Sequence, residues 1–454
     1  MSSFFETTNN TYGLYSQNQN KSKLQKLSLL NQRNKNIFFQ DDSNYGIQNY
    51  FGNPKYAEPK MPNPIQRGVN SSYKYPYLNP SLDTNQTRSH QDTNKQISYG
   101  YNPQYKKSTL TSEEDDCYSK NNNFSLVIES KIGFQNLGNT CFMNTCLQNL
   151  LHTESFIQSI FQIEDKISFS TPITKRFLDL CLSSISNSKY SSSISPIEFK
   201  KAFSQKHPEF RGYNQHDTQE FCRYLLEDMS QELNIVRKPS PYVQLQTDGK
   251  SKTECNREFD QIFRNRENSI IIDNFYGQLI NIFTCTCKHQ TFSFEKFLDI
   301  PLIIPFTATV SVSIKELMQN FFEDIKIQFE QKCIICHKKT NQKRELKISQ
   351  PPENLILSIQ RINGRVKKKN TIDVRFDEEI NLKDFVDFDC FNGSNCKYTL
   401  YGIGNHSGTI DFGHYYAYIK IKDEWYEFND SMVSKTTLSR TSNKVYVLFY
   451  KKKK

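Results

Sequence analysis

The strongest constraint on folding is a change in the distribution of apolar residues near residue 130. Before Val127 the chain contains one valine, Val69, and one alanine, Ala57, among Asn, Gln, Ser, Tyr and Lys residues without helical or strand period. Such a segment cannot bury enough apolar surface to offset the entropy lost on ordering. We therefore expect residues 1–128 to form a disordered tail, whose scattered aromatic residues suit short motifs for a regulatory partner.

From Ile132 to Tyr450, apolar residues are dense and recur at helix and strand periods. A stretch of this length is sufficient to bury a large core. No run of 18 or more apolar residues occurs, and the N-terminus lacks a basic segment followed by an apolar one. We therefore expect a soluble protein that is neither secreted nor bound to a membrane.

Cysteine usage and charge limit the compartment and the partners. The twelve cysteines are spread unevenly, unlike the framework of a small disulfide-bonded domain, so we expect a reducing compartment, the cytoplasm or the nucleus. The net charge of +10 comes in large part from the runs at 365–370 and 451–454, which contain no interleaved aromatic residues. We interpret them as solvated charge runs and expect no nucleic-acid binding.

Two cysteines share one predicted helix in "FQNLGNTCFMNTCLQNLL", but their surroundings differ. Gly138 and Asn139 are suited to unusual backbone angles, and Thr140 to capping the helix that follows. Cys141 then lies in the first turn, where unpaired amides and the helix dipole lower the pKa of a thiol. Cys146 falls on the apolar face, which indicates a core residue. From this stretch alone, Cys141 is either a nucleophile or a second buried cysteine.

A cysteine nucleophile needs a nearby base and a group that orients the base. Of the eight histidines, His414 is distinctive because it precedes an alternating strand, a polar turn and a second strand that ends near Asn429 and Asp430. With the hairpin turn at 423–424, His414 and Asn429 share a face four positions out of step; with the turn at 421–422 they are opposite each other. An ordinary histidine beside a turn gives the same pattern, so the hairpin alone does not decide.

Taken together, distant blocks of the chain resemble the ubiquitin-specific proteases, a family of deubiquitinases. The block "GFQNLGNTCFMNTCLQNLLHT" resembles the cysteine box of the family. The blocks "YGIGNHSGTIDFGHYYAYIK" and "WYEFNDSMV" together resemble its histidine box. "GYNQHDTQEFCRYLLEDM" looks like the Gln-Asp box of the family, and "FEKFLDIPL", "QPPENLILSIQR" and "VRFDEEINL" are further matches. The resemblance covers residues 131–451, with the boxes in family order.

The resemblance implies an α+β architecture, the papain-like cysteine protease fold. A helical thumb is expected over 132–240, zinc-tipped fingers over 270–300 and 325–350, and a palm containing the histidine hairpin over most of the remainder. The implied reaction is hydrolysis of the isopeptide or peptide bond at the C-terminal glycine of ubiquitin, through an acyl-enzyme and without a catalytic cofactor. Ubiquitin and ubiquitinated proteins are the implied partners.

Site residues follow from the resemblance position by position. Cys141 matches the nucleophile, His414 the general base, and Asn429 the third member of the triad. Asp430 matches an adjacent acidic residue that shares the polarising role. Asn136 matches the residue whose amide stabilises the oxyanion, a role worth roughly 10² to 10³ in rate.

An acidic pair and a glycine-containing loop complete the predicted site. Asp217 and Glu220 match family positions that contact the basic tail of ubiquitin, and a helix from about Asp217 to Met229 places them three apart on one face. A solvated acidic face is the alternative. The segment 406–414, with its two glycines, suits a mobile loop beside the site that rearranges when ubiquitin binds.

Two cysteine pairs predict a structural zinc site. Thiolate pairs on two hairpin tips form closed Cys₄ sites, and the family has one in its fingers. Here the first pair is CxC where the family usually has CxxC, so the position of the usual first ligand is Thr284. Buried cysteines that hold no metal are the alternative, and His289 and His337 are spare candidate ligands. The expected ligands are Cys285, Cys287, Cys333 and Cys336.

Two other functions are compatible with the resemblance. The first is a catalytically silent adaptor that keeps the fold to bind ubiquitin. The second is a protease for another ubiquitin-like modifier. A silent relative typically lacks one of the catalytic positions, and this chain has them all, which favours the active enzyme.

Overall fold

The computed structural model describes residues 123–453 except 187–191, 242, 306–307, 324, 364–367, 394 and 411, and the described residues belong to one compact unit. The predicted tail lies outside the described residues as far as residue 122. Its predicted end at 128 is wrong, because residues 123–128 form a helix. Val127 is fully buried there, and Phe124 and Ile128 pack against the core. Their spacing already gives this short helix an apolar face.

Helices dominate the first half of the described chain, where the thumb is predicted. Their aromatic and aliphatic side chains form one large core together with residues of the central sheet. Within the described residues, no helix is both long and apolar enough to cross a bilayer. The helices are α1 Cys141–Leu151, α2 Glu154–Gln162, α3 Pro172–Ser186, α4 Ile197–Lys206, α5 Thr218–Glu232, α6 Lys252–Arg264, α7 Ile270–Phe275 and α8 Ile314–Phe321, with 3₁₀ turns at Glu164–Lys166, Pro208–Phe210 and Lys383–Phe385.

Strands dominate the second half. The inner strands of the central sheet are buried along most of their length, because residues on their two faces belong to two different cores. In chain order the strands are β1 Gly133–Phe134, β2 Ser193–Ile194, β3 Gly277–Thr284, β4 Gln290–Phe297, β5 Asp299–Ile303, β6 Ser311–Ser313, β7 Ile325–Lys332, β8 Lys339–Gln350, β9 Asn354–Gln360, β10 Ile362–Asn363, β11 Lys368–Lys369, β12 Asp373–Arg375, β13 Glu379–Asn381, β14 Lys397–Gly408, β15 Gly413–Ile421, β16 Glu424–Asn429, β17 Met432–Thr436, β18 Thr441–Ser442 and β19 Val445–Lys452.

The described strands form two principal sheets. The central sheet has the order β17-β16-β15-β14-β19-β9-β5, with β13 paired to β14, and corresponds to the predicted palm. The second sheet has the order β4-β3-β8-β7, comes from the two segments predicted as fingers, and packs against α6. Helices and mainly antiparallel strands occupy largely separate stretches of the chain, which confirms the predicted α+β class.

The histidine hairpin adopts a register between the two that the sequence allows. Ile421 pairs with Glu424 and Ala417 with Phe428, so the turn consists of Lys422 and Asp423. Lys422 takes the left-handed conformation, with φ 55°, that a tight two-residue turn requires. In this register, residues 414 and 429 lie on one face two positions out of step. The shared face is confirmed, and both predicted turn positions are wrong by one residue.

Part of the C-terminal lysine run continues the central sheet, and its partly exposed side chains form ion pairs. Strand β19 extends to Lys452, because a lysine backbone pairs like any other while its side chain points to solvent. Lys451 Nζ lies 2.9 Å from a carboxylate oxygen of Glu154, and Lys453 Nζ lies 2.5 Å from one of Glu379. In the other run, residues 364–367 lie outside the described residues.

Candidate active site

Cys141 is the first residue of α1, and only 4% of its surface is exposed. The turn before it has left-handed backbone at Gly138 (φ 98°) and Asn139 (φ 53°), which confirms the predicted unusual angles. The φ of 98° favours glycine at 138, and a Cβ atom there would lie 2.5 Å from the ring of Tyr213, which would have to move. At a helix start, the first N–H groups have no carbonyl partner within the helix, and they favour an anionic sulfur.

The turn is held by Asn136, whereas Thr140 does not cap the helix as predicted. Asn136 Oδ1 accepts hydrogen bonds from the N–H groups of Gly138 (2.9 Å) and Thr140 (3.2 Å). Thr140 is at the N-cap position, but its hydroxyl accepts the N–H of Leu137 at 2.9 Å and makes no capping bond. A short side chain can bond to the turn before a helix as well as to the helix, and here the turn prevails.

His414 lies between Cys141 and Asn429. Its Nε2 lies 2.7 Å from Asn429 Oδ1; because an amide oxygen only accepts, Nε2 carries the hydrogen and Nδ1 remains for the thiol. The hydrogen bond to the Cys141 thiol raises the pKa of His414 to about 9 against the opposing effect of burial, and Asn429 and the charge of Asp430 contribute further. Asn429 Nδ2 donates to Glu427 at 3.2 Å, which fixes the orientation of the amide.

Asp430 directs its carboxylate at two amides and away from the imidazole. One oxygen accepts from Asn136 Nδ2 and the other from Asn144 Nδ2, each at 2.8 Å. The residue has a left-handed backbone, with φ 50°. Its effect on His414 is through charge, while its hydrogen bonds orient the amide of Asn136. One hydrogen of that amide is used by Asp430, which leaves the other for an oxyanion.

The predicted acidic pair has a structural task as well. Asp217 is the N-cap of α5, where its carboxylate accepts the N–H groups of Gln219 and Glu220 and the hydroxyl of Tyr446. Burial raises the pKa of Asp217 despite these hydrogen bonds. The pKa of Glu220 is raised by burial and by the charges of Asp217 and Glu209. Helix α5 begins one residue later than predicted, and the Asp217 side chain caps the N-terminus of this helix.

The predicted loop at 406–414 is largely part of a hairpin. Residues 406–408 of β14 pair with residues 413–415 of β15, and Asp411 lies outside the described residues. Lys369 Nζ donates to the backbone oxygens of His406 (2.7 Å) and Gly408 (3.2 Å). Phe412, at the tip, is 85% exposed. Rearrangement of this segment on ubiquitin binding stays a prediction. Crystal structures with and without ubiquitin in which the segment has the same conformation would contradict it.

Cys146 has the environment of a core residue. It is 2% exposed on the buried face of α1 and contacts Cys222 of α5. Burial raises the pKa of its thiol well above the ordinary value, which is the opposite of what a nucleophile requires.

The other four predicted cysteines converge between the tips of hairpins β3–β4 and β7–β8. Their sulfur atoms lie within 4.8 Å of one another, and the pairs Cys285–Cys336 and Cys287–Cys333 are separated by 3.8 and 3.6 Å. Sulfur atoms at the corners of a tetrahedral zinc site are about 3.8 Å apart. The CxC pair therefore reaches the cluster without Thr284. The four thiols can hold a metal ion, and His289 and His337 are not part of the cluster.

Two residues beside the site were given no role from the sequence. Asn144 lies one helical turn after Cys141 and holds Asp430, whereas Gln215 contacts the backbone of Gly413, next to His414. Gln215 belongs to the Gln-Asp box, but the resemblance gave it no task. The sequence does contain a signal for Asn144: it is a polar residue at a position that the amphipathic pattern of α1 predicts to be buried, and a buried polar side chain needs a hydrogen-bond partner.

Comparison with known proteins gives one consistent result. A family model described as ubiquitin carboxyl-terminal hydrolase matches residues 132–450. Ubiquitin carboxyl-terminal hydrolase 2 of Rattus norvegicus is 34% identical over 337 residues, which cover 70% of this chain and 53% of the relative. The Gallus gallus protein of the same name is 33% identical over 344 residues, covering 72% of this chain and 94% of the relative. The chain thus spans about half the length of the mammalian relatives it matches.

Solved structures support the same fold. The SAGA Ubp8/Sgf11/Sus1/Sgf73 module bound to ubiquitin aldehyde matches with a TM-score of 0.57 and 24% identity, over 72% of this chain and 71% of that chain. A module of the same composition bound to monoubiquitin matches with a TM-score of 0.58 and 23% identity, over 77% and 72%. The papain-like fold with thumb, palm and fingers is thereby confirmed. Since the family model spans most of its length, the chain belongs to the ubiquitin carboxyl-terminal hydrolase family.

Proposed function

We propose that this protein is a thiol-dependent hydrolase that cleaves the isopeptide or peptide bond at the C-terminal glycine of ubiquitin. The observation that carries the proposal is the contact of the Cys141 thiol with an imidazole that Asn429 orients through a 2.7 Å hydrogen bond. A nucleophile, a base and an orienting group in this relation are the requirement for covalent catalysis by cysteine.

The reaction proceeds through a thioester. His414 takes the proton of Cys141, and the thiolate attacks the carbonyl carbon of the terminal glycine. The oxyanion that forms is stabilised by the free N–H of Asn136 Nδ2 and by backbone N–H groups at the start of α1. His414 then protonates the leaving amine, and the carbon–nitrogen bond breaks to give the acyl-enzyme. A water molecule, deprotonated by His414, releases Cys141 and a ubiquitin with a free carboxylate.

Ubiquitin is proposed as the partner on the basis of the acidic groups near the site. Burial raises the pKa values of Asp217 and Glu220, and neighbouring carboxylates raise them further. A cationic tail beside this pair would stabilise the charged carboxylates. The related modules described above were solved with monoubiquitin and with ubiquitin aldehyde bound. Those modules also contain further subunits, and the segment before residue 123 is the part we propose for a regulatory partner here.

For the metal and the compartment, the cysteines support two further proposals. Four converging thiols favour zinc, which would be structural because four sulfur ligands leave no position for water. The eleven cysteines in the described part of the chain are all free thiols, which is compatible with a reducing compartment. We therefore propose a structural zinc ion and a location in the cytoplasm or the nucleus.

The test is labelling with a ubiquitin that carries a thiol-reactive group at its C-terminus. The wild-type chain should gain the mass of one ubiquitin, Cys141→Ser should not be labelled, and Cys146→Ser should be labelled like the wild type. Failure of the wild type to label, or labelling of Cys141→Ser, contradicts the proposal. A silent adaptor would bind ubiquitin without labelling. Side-by-side cleavage of fluorogenic amides of ubiquitin and of other modifiers separates a protease with a different modifier specificity.

Truncation of the oxyanion donor should affect the rate more than binding. We expect Asn136→Ala to lower kcat for a fluorogenic ubiquitin amide by roughly 10² to 10³, with a small change in KM, because the hydrogen bond from Nδ2 to the oxyanion forms only in the transition state. The substitution also removes the Oδ1 hydrogen bonds that hold the turn, so a control for the turn is needed. The matched control is Asn139→Gly, which removes an amide from the same turn and keeps the left-handed backbone. Equal losses in the two variants would mean that the turn, and not the donor, matters.

The pH dependence should reflect the raised pKa of His414. The imidazolium that stabilises the thiolate persists until the pH passes about 9, above the usual value of about 6.5 for histidine. Because the charged form is lost as the pH rises, kcat/KM should be retained through pH 8 and decline on the alkaline side with a midpoint near 9. Initial rates between pH 5 and 10.5 measure this limb. A decline centred near pH 6.5 would contradict the ion pair.

A further inference from the structure

One side chain forms a two-point contact with the residue that precedes His414. Gln215 Oε1 accepts the N–H of Gly413 at 3.1 Å, and Gln215 Nε2 donates to the carbonyl oxygen of Gly413 at 3.0 Å. A primary amide can make both bonds at once only when it lies in the plane of the peptide groups, so the contact fixes distance and orientation. Such paired bonds are otherwise made by a neighbouring strand.

The backbone at Gly413 lacks a partner strand on that side. Strand β15 pairs with β14 from Gly413 onward, but its pairing with β16 begins only at Ala417. Within the described residues, the outer edge of 413–416 thus has no strand beside it. His414 lies in this one-sided part of β15, and the amide of Gln215 occupies the place of the missing peptide group.

Gly413 is confined from its other side by His406. A Cβ atom on Gly413 would lie 2.0 Å from His406 Nε2 and 2.8 Å from the carbonyl oxygen of Thr409. His406 is 2% exposed, and its ring lies 4.4 Å from that of Tyr415. The peptide before the catalytic histidine is therefore held between a packed imidazole and the amide of Gln215.

The segment that carries Gln215 also contacts the nucleophile helix. Thr218 Oγ1 donates to the carbonyl oxygen of Phe142, the residue after Cys141, at 2.8 Å. Asp217, between them, accepts the hydroxyl of Tyr446 in β19. Residues 215–218, which we name the bridging segment, therefore bond to α1, to β15 and to β19. A displacement of this segment would move Cys141 and His414 relative to each other.

We propose that Gln215 is a positioning residue that sets the place of the His414 imidazole relative to the Cys141 thiol. Its amide fixes the first peptide of β15, and the imidazole follows because it is attached to the next residue. Gln215 does not touch the reacting atoms. The proposal rests on the proposed hydrolase activity for its consequence on turnover, but the contact between thiol and imidazole can be measured without ubiquitin.

The test compares Gln215→Met with Gln219→Met in the full chain. Methionine keeps the length of the side chain and removes both hydrogen bonds. Gln219, in the first turn of α5, is a matched control because its Nε2 also joins the thumb to the palm, donating to Asp299 Oδ2 at 3.0 Å. Loss of this second contact loosens the two regions without touching Gly413.

The first readout is alkylation of Cys141 by iodoacetamide as a function of pH, followed on the peptide containing Cys141 by mass spectrometry. Because an unfolded fraction would expose the thiol and also move the profile toward that of a free cysteine, the folded fraction of each variant is measured first by circular dichroism, and the profiles are compared only where both variants are fully folded. In Gln215→Met the acid-side midpoint should rise by about one pH unit, because a displaced imidazolium stabilises the thiolate less. In Gln219→Met the midpoint should equal that of the wild type.

The second readout is hydrolysis of a fluorogenic ubiquitin amide. Gln215→Met should lower kcat roughly 10- to 100-fold with KM within about threefold, as expected for misplacement of a catalytic group. Unchanged alkylation in Gln215→Met, or an equal shift in both variants, overturns the positioning role. If the wild type fails to hydrolyse ubiquitin while the alkylation profile still moves only in Gln215→Met, the proposed substrate is wrong and the positioning role stands.

Discussion

Replacement of His414 with glutamine is expected to lower kcat for hydrolysis of a ubiquitin amide at least about 10⁴-fold, the largest effect we predict for a substitution that keeps Cys141. Glutamine retains the approximate size of the ring and a donor toward Asn429, but it can neither accept the thiol proton nor protonate the leaving amine. The thiol then has the ordinary reactivity of a buried cysteine. KM should change little, because the imidazole does not bind the ubiquitin fold.

Asn429→Ala provides a graded comparison. The His414 ring keeps its base function in this variant and loses the 2.7 Å bond that orients it, so we expect a loss of roughly 10- to 100-fold. Initial rates with a fluorogenic substrate, and labelling by the reactive ubiquitin, measure both variants. The assignment of His414 as the base fails if the two substitutions have similar effects or if His414→Gln retains more than about one per cent of the activity.

The second large effect is expected on stability when the metal cluster is removed. Structural zinc contributes about 10 to 16 kcal/mol of binding free energy in small domains, and part of it holds the folded state. We expect the double variant Cys333→Ser, Cys336→Ser to contain no zinc and to melt about 10 °C or more below the wild type. Elemental analysis should find one zinc ion per wild-type chain, and a chelator should lower the melting temperature of the wild type alone.

Cys181→Ala is the control for the loss of a buried thiol elsewhere. Cys181 is fully buried in α3, outside the cluster, so its truncation should lower the melting temperature by a few degrees and leave the zinc content at one. A wild-type chain purified without metal, whose melting temperature a chelator leaves unchanged, would contradict the zinc proposal. Alkylation of Cys141 should persist in the double variant at temperatures where the palm remains folded.

The sequence predicted the shared face of His414 and Asn429 because strand parity does not depend on the exact turn. It could not predict the register, because Lys422 adopts a left-handed turn conformation without being Gly, Asn or Asp. The helical start at residue 123 was missed for a related reason. The spacing of Phe124, Val127 and Ile128 gives that helix an apolar face, but a helix of six residues is stable only through contacts with distant parts of the core, which local composition does not reveal.

Site residues show the same division between local and distant information. The turn and helix around Cys141 were sufficient to predict its position at a helix start. Its role as the nucleophile could be predicted only from the resemblance that includes the distant histidine box. Asp217 was predicted as a contact for ubiquitin, whereas its carboxylate is used by the α5 N-terminus and by Tyr446, a residue more than two hundred positions later. The role of Gln215 likewise depends on Gly413, which only the three-dimensional fold brings near.

The strand order of the fingers has a consequence for the sequence of folding events. Hairpins β3–β4 and β7–β8 are local, but the pairing that joins them, for example of Ile282 with Glu345, closes a loop that includes β5, β6 and α8. Such closure is entropically costly and slow compared with hairpin formation. The four thiols lie at the tips of the two hairpins, so a metal ion bound early would bring the tips together first. Refolding of the fingers should therefore accelerate when zinc is present from the start.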